Sequence, residues 1–413
     1  MLIPDQEHGA SAHGPTSSRP SQQAHWKLVT GATAGYISDG YTLGVVGIAL
    51  ASAQSPLALT ATWLGAIGSS SLAGLFLGAL LSGWGADRWG RRPIYAYNMV
   101  AFAALSLLQL QVDSAGQLLI IRFLLGLILG TDYVVCKALL AECMPPHNRG
   151  RALSLMGVSW AIGYALAYIV GMMLEGTRPD AWRWILASSA IPALISVPLR
   201  IKVPESPLWL TGSAVKPRLR AVFSRQHRAA TLVAATLFFC LVVPYFAVST
   251  FIPQVMAALH VAGNEVAGLI YILGLMLGSV AGFLVVDWLP RRVFVVGSFT
   301  VTSLALAFSK TLPDGWVVVS FAVFSCVLSA AQAQIYVYLP ELFPTSIRAS
   351  GLGVAVAVSR VGAAAGTFLL PLCVERFGIG LALHVCTATL ILGGFVAFSW
   401  APETRRIDLR VQN

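Results

Sequence analysis

The chain has 413 residues, 57% of them hydrophobic and 11% charged, with a formal net charge of +10. Soluble domains carry roughly 25% charge, so this chain lacks the polar surface to face water on every side. Its basic excess falls in short loops between long apolar runs rather than on one continuous surface, which excludes nucleic-acid binding.

Residues 1–25 are rich in Ser, His, Gln, Pro and Gly. They lack the basic start and apolar stretch of a signal peptide and are expected to form a disordered cytoplasmic tail. Apolar runs then recur at lengths suited to crossing a bilayer. Spans are predicted over 28–53, 62–82, 94–111, 116–141, 152–174 and 182–201, and again over 231–256, 266–286, 293–309, 315–339, 349–373 and 381–400. The longest polar connection, 202–230, divides six spans from six. The expected fold is therefore an all-α membrane protein: an amino-terminal bundle over 26–201, a cytoplasmic linker over 202–230, a carboxy-terminal bundle over 231–403 and a short tail over 404–413.

Placing the amino terminus inside puts 20 of the 27 Lys and Arg residues on the cytoplasmic side, Arg200 among them. Four (Arg178, Arg183, Lys310 and Arg376) fall outside, and three lie within spans. The positive-inside rule then predicts that both termini are cytoplasmic.

Three landmarks repeat in order. Asp87 with Arg91 and Arg92 reappears as Asp287 with Arg291 and Arg292. Glu142, Pro145 and Arg149 reappear as Glu341, Pro344 and Arg348, and Pro204-Glu205 as Pro402-Glu403. Each copy occupies the same place in its half, so the halves are repeats, the arrangement that permits rocking about a midplane site.

The segment GWGADRWGRRP, from Gly83 to Pro93, resembles the loop 2–3 signature of the major facilitator superfamily, and DWLPRR, from Asp287 to Arg292, is similar to a degenerate second copy. Arg122-Phe-Leu-Leu-Gly126, PESPLWL from Pro204, PETRR from Pro402 and the Glu341–Arg348 segment resemble the sugar-porter-like branch. SDGYTLGVVG from Ser38 and GTDYVV from Gly130 look most like proton-coupled metabolite symporters, including aromatic-acid types. The resemblance implies two pseudo-symmetric six-helix bundles working by alternating access. It also implies a cytoplasmic gating set of Asp87, Arg88, Arg91, Glu142, Arg149, Arg151, Glu205, Asp287, Glu341, Arg348 and Glu403. Thr42 stands where those symporters usually place a second acid of span 1. The sugar-binding glutamines of spans 5 and 7 and the Gly-Pro-rich span 5 of drug antiporters are missing.

Five charges lie well inside spans: Asp39, Arg122, Asp132, Lys137 and Arg360. Each costs about 2.5–3.5 kcal/mol at the centre of a span by insertion scales and needs a reason to be there. At about 100° per residue, Arg122, Asp132, Tyr133 and Lys137 share one broad face of span 4, expected to line a polar cavity. Asp39 and Asp132 are the expected proton carriers, with Arg122 beside them, because desolvation disfavours a charged carboxylate and brings it toward loading and releasing protons. By resemblance, they match the acids of the symporters' span 1 and GxDY motifs. Arg360 in span 11 is suited to hold a carboxylate through two hydrogen bonds, with Lys137 as a second cation. The alternative is structural: Lys137 neutralises Asp132, and Arg360 pairs with Asp39. Trp160, Tyr245, Tyr271 and Tyr336, and the amides Gln254, Gln332 and Gln334, are candidate pocket residues or packing.

No metal spacing is seen among the seven histidines, and no P-loop is present, so an enzyme or an ATP-driven pump is not expected, nor any cofactor or metal. The six cysteines read as packing residues. The expected function is proton-coupled symport of a small organic anion by a monomer in a bacterial inner membrane, with the substrate, protons and the bilayer as its partners. A proton-antiport exporter and a transport-dead sensor share the scaffold and stay open.

Overall fold

Lipid offers no hydrogen-bond partner to a backbone, so apolar segments that enter it must satisfy their N–H and C=O groups internally as helices. The computed structural model describes residues 22–144, 146–201, 203, 205, 219–261, 263–285, 288–344 and 347–404, and no strand occurs among them. Ten helices in this set are long and apolar enough to cross a membrane. The last of them breaks at Gly378, whose φ of 80° lies in the left-handed region, where a side chain would be strained; it is two crossings. One further crossing comes from the broken first segment.

The twelve crossings are α1 (Gln22–Gly44, continued by Val46–Ala53), α2 (Ala61–Trp89), α3 (Arg91–Leu108), α4 (Ala115–Cys143), α5 (Pro146–Leu174) and α6 (Ala181–Ala187 with Ala190–Arg200), then α7 (Arg228–Thr250 with Ile252–Ala258), α8 (Asn264–Val285), α9 (Arg291–Phe308), α10 (Asp314–Glu341), and α11 and α12, which share Arg348–Trp400 on either side of Gly378. Each of the twelve predicted spans falls on one of them. Most of linker 202–230, the 1–25 tail up to residue 21 and the 404–413 tail from residue 405 lie outside the described residues.

The two lobes are built alike. In the first, α1 packs on α5, α2 on α4 and α3 on α6; in the second, α7 packs on α11, α8 on α10 and α9 on α12. The repeated Pro-Glu motif shows why the register matches. The Glu205 carboxylate accepts from the N–H groups of Arg91 and Arg92 at 3.2 and 3.1 Å. Glu403 does the same for Arg291 and Arg292, at 3.0 Å each. Each glutamate thus caps the exposed amides and positive dipole end of its lobe's third helix. Glu205→Gln and Glu403→Gln are each expected to cost about 1 kcal/mol, read as a lower melting temperature of the purified protein. An unchanged melting temperature in both would remove the capping role.

The Arg-rich connections, α2–α3 and α8–α9, share one end of the molecule, called here the basic face; the opposite end is the far face. α2 packs on α11 and α5 on α8 across the lobe boundary. Close contacts between lobes gather in the far half. Gln254 Nε2 donates to the Gly47 carbonyl at 3.3 Å, Tyr164 donates to the Ser249 carbonyl at 2.9 Å, and Tyr168 to that of Glu265 at 3.5 Å. A Cβ on Gly47 would stand 2.1 Å from the Thr250 carbonyl oxygen, and one on Gly65 2.4 Å from that of Phe368. The two lobes therefore meet backbone to backbone at the far face.

Candidate functional site

Two buried acids face each other from α1 and α4. Asp132 is 1% exposed and bound in two-pronged fashion by Arg200, itself fully buried. Arg200 Nη1 meets Asp132 Oδ1, and Nη2 meets Oδ2 at 3.0 Å. Asn98 of α3 adds a third donor to Oδ1 at 3.3 Å. The guanidinium also donates to the carbonyl of Gly31 at 3.1 Å and lies 4.3 Å over the Tyr95 ring. Gly35 leaves it room: a Cβ there would stand 1.4 Å from Nη2. Arg200, expected at the cytoplasmic surface, is instead an interior residue. Sequence reasoning missed it because the end of a predicted span was treated as loop. The available signal was the pair of glycines at 31 and 35, four apart on α1, which leaves a slot for a long side chain.

Asp39 is also fully buried, yet among the described residues neither of its carboxylate oxygens has a hydrogen-bond donor. Its nearest acidic neighbour is Asp132, with Arg200 and Lys137 in electrostatic reach. The structural alternative, in which Lys137 neutralises Asp132 and Arg360 pairs with Asp39, is not what forms. Asp132 takes Arg200, and among the described residues neither Lys137 nor Arg360 makes an ion pair.

Those two cations meet at the lobe boundary. Lys137 Nζ of α4 lies 5.6 Å from the ring of Tyr133 and 5.4 Å from that of Tyr336 on α10, cation–π distances that span both lobes. Arg360 of α11 is 5% exposed, its Nε without a partner, its Cζ 6.0 Å over the Phe246 ring. The Tyr336 hydroxyl interacts with Arg360 and accepts from Gln332 at 3.4 Å. Tyr36 stacks on Tyr133 at 5.2 Å, while Trp160 lies 6.3 Å from both Tyr245 and Phe246 across the boundary. The result is an aromatic cluster at the lobe boundary with two cations beside it. Tyr36, Asn98 and Phe246 were not singled out from sequence. Asp132 is matched by Arg200, while Lys137 and Arg360 have no carboxylate partner among the described residues.

Other candidates lie elsewhere. Arg122, fully buried, donates to the Thr42 carbonyl at 3.0 Å and sits about 15 Å along α4 from Asp132, at 1.5 Å per residue. Tyr271 is buried inside the second lobe, stacked on Phe324 at 6.3 Å. Gln254 belongs to the far-face closure and lines two cavities there, of about 230 and 410 Å³. Gln334 is buried in α10 with its Nε2 unpartnered.

In the gating set, Arg91 and Arg291 begin the capped helices, Arg88 is exposed, and Glu341 accepts from Thr404 and meets Arg291 Nε at 3.5 Å. Glu205 and Glu403 bond within their own lobes. Asp287 and the side chains of Asp87, Glu142, Arg149, Arg151 and Arg348 lie outside the described residues.

The family model for the Major Facilitator Superfamily matches residues 32–367. The chain is 33% identical to the inner membrane metabolite transport protein YgcS of Escherichia coli (strain K12), over 94% of each chain. It is 30% identical to the 3-(3-hydroxy-phenyl)propionate transporter of the same strain, over 81% of this chain and 83% of that one. Among solved structures, the inward open conformation of the xylose transporter XylE from E. coli matches with a TM-score of 0.79 at 21% identity, covering 94% of this chain and 98% of XylE.

Proposed function

The chain belongs to the major facilitator superfamily, a family of transporters and not enzymes, and from that premise we propose that it imports a small organic anion, aromatic or other carboxylate, together with protons. The observation that carries this reading is the Lys137–Tyr336–Arg360 cluster, where two cations without a carboxylate partner among the described residues meet at the lobe boundary. A substrate carboxylate placed there takes two hydrogen bonds from Arg360, and its apolar body rests between Trp160, Tyr245, Phe246 and Tyr133. Two cations that no carboxylate matches among the described residues favour an anion over a neutral sugar. The relative named for 3-(3-hydroxy-phenyl)propionate handles an aromatic carboxylate of this kind.

In this reading the protein works as a monomer in a bacterial inner membrane, with the basic face and both termini cytoplasmic. The far-half contacts then close the periplasmic side, and the site opens inward. Asp39 and Asp132 supply the proton-linked charge, with Arg122 above them. Closure of the basic face falls to the charge set around Arg88, Arg91, Glu205, Glu341 and Glu403. Such pairs are individually weak, but several opening together bias a two-state equilibrium.

The test is uptake of labelled 3-(3-hydroxyphenyl)propionate and of a panel of aliphatic acids by proteoliposomes under an imposed pH gradient. Inward proton flow is expected to drive accumulation. Arg360→Gln is expected to weaken apparent affinity by about 10- to 100-fold, the worth of hydrogen bonds to a charged group at roughly 1.5–3 kcal/mol. Unchanged affinity in Arg360→Gln removes that residue from the site. Expulsion instead of accumulation identifies a proton-antiport exporter, and no flux under either gradient identifies a sensor.

A further inference from the structure

Of the two acids facing each other in the first lobe, only one is charge-matched. Both oxygens of Asp132 are taken by Arg200, with Asn98 as a further donor. Among the described residues Asp39 has no donor, and its acidic neighbour Asp132, a carboxylate held by Arg200, has no hydrogen to give. A fully buried carboxyl group that no donor serves, beside another acid, is favoured as the neutral acid, so a proton on this pair has a place to sit. With Asp132 saturated by a guanidinium, that proton belongs on Asp39. The titratable groups facing Asp39 are Tyr36 on its own helix, Asp132, Tyr133, Cys136 and Lys137 on α4, and Arg200 on α6, while α5 presents the non-titratable Trp160. Lys137 is exposed and lies on the rings of Tyr133 and Tyr336, so Arg200 is the buried cation within reach of both acids.

We infer that Arg200 is a positioning residue that holds Asp132 as a fixed carboxylate and so leaves Asp39 as the group that takes up and releases the proton. This deepens the proton-coupling reading above and rests on it for its link to transport. The step is a simple protonation: a proton delivered by water when the site opens adds to a carboxylate oxygen of Asp39 and later leaves by the same bond.

An unusual double-mutant pattern follows. Asp132→Asn alone frees the donors of Arg200, which turn to Asp39, pin it as a carboxylate and silence its titration. Removing both partners, as Asp132→Asn with Arg200→Gln, takes away a neutral pair and restores it. If Asp132 itself carried the proton, the double variant would be as silent as the single one.

The experiment is pH-difference infrared spectroscopy of the purified full-length protein in liposomes, which reads the carboxylic-acid carbonyl band directly and needs no substrate. Against the signals of the other acids, in a chain with 17 Asp and Glu residues, the wild type is expected to show one titrating band from this pair. It is lost in Asp39→Asn, lost in Asp132→Asn and recovered in the double variant. A band that survives Asp39→Asn, or stays absent from the double variant, overturns the inference. Should the double variant fail to fold, Arg200→Gln alone decides: a second band, from the released Asp132, is required, and its absence overturns the inference. Proton uptake during transport is recorded in parallel. A wild type that shows the Asp39 band but moves no proton with substrate breaks the transport reading and leaves the assignment of Arg200 standing.

Discussion

Gly47→Leu combined with Gly65→Leu is expected to lower net transport by about 100-fold while leaving substrate binding in place. At both positions the opposing atom is a backbone carbonyl oxygen, 2.1 and 2.4 Å from where a Cβ would sit. A carbonyl held in a helix cannot swing aside as a side-chain tip does, so the lobes have to part. The contacts exist only when the far face is closed, so the substitutions penalise that state alone. Overpacking costs about 1–3 kcal/mol per site, and two sites together approach the ~5.5 kcal/mol that moves a 1:99 equilibrium to 99:1. Binding is measured at equilibrium and transport by counterflow. Labelling of a cysteine placed at the far-face residue Gln54 should increase in parallel. Wild-type flux in the double variant would show that far-face closure is not required for the cycle.

Gly35→Ala is expected to destabilise the protein by about 3 kcal/mol, against the usual trend. In a helix interior, replacing Gly with Ala ordinarily gains up to about 1 kcal/mol. Here the new methyl carbon falls 1.4 Å from Arg200 Nη2. The guanidinium is pinned by Asp132, the Gly31 carbonyl and the Tyr95 ring, and moving it leaves a buried ion pair broken, which costs on the order of 3–5 kcal/mol. Gly157→Ala is the control, since a Cβ there meets nothing within 4 Å. Thermal unfolding of the purified variants should separate them in opposite directions from the wild type. If Gly35→Ala stabilises as much as Gly157→Ala, Arg200 is not held as tightly as its contacts imply.

Gly35 shows what is legible only after folding. Gly35 looks like any small residue of an apolar run; its role comes from a guanidinium 165 residues away along the chain. The same holds for Arg200. Read along the chain, it ends a predicted span and counts as one more loop cation, because a linear reading treats every span end as wet. In the folded lobe α6 lies against α1 and α3, and its last residue points into the bundle. Gln254 and Tyr271 were chosen by residue type and depth, and folding puts the first at the far face, lining the two cavities there, and the second against Phe324. Lys137, Tyr133, Trp160, Tyr245, Gln332, Tyr336 and Arg360 were also chosen by residue type and depth, and these do converge at the lobe boundary.

Twelve crossings, two matching halves and the membership of a transporter family were already written along the chain, because span length, loop charge and motif spacing are properties of neighbouring residues. Which cation neutralises which acid was not. Opposite charges on helices distant in the chain are matched by helix packing and by the gaps that small residues leave, and those distances exist only once both lobes have assembled.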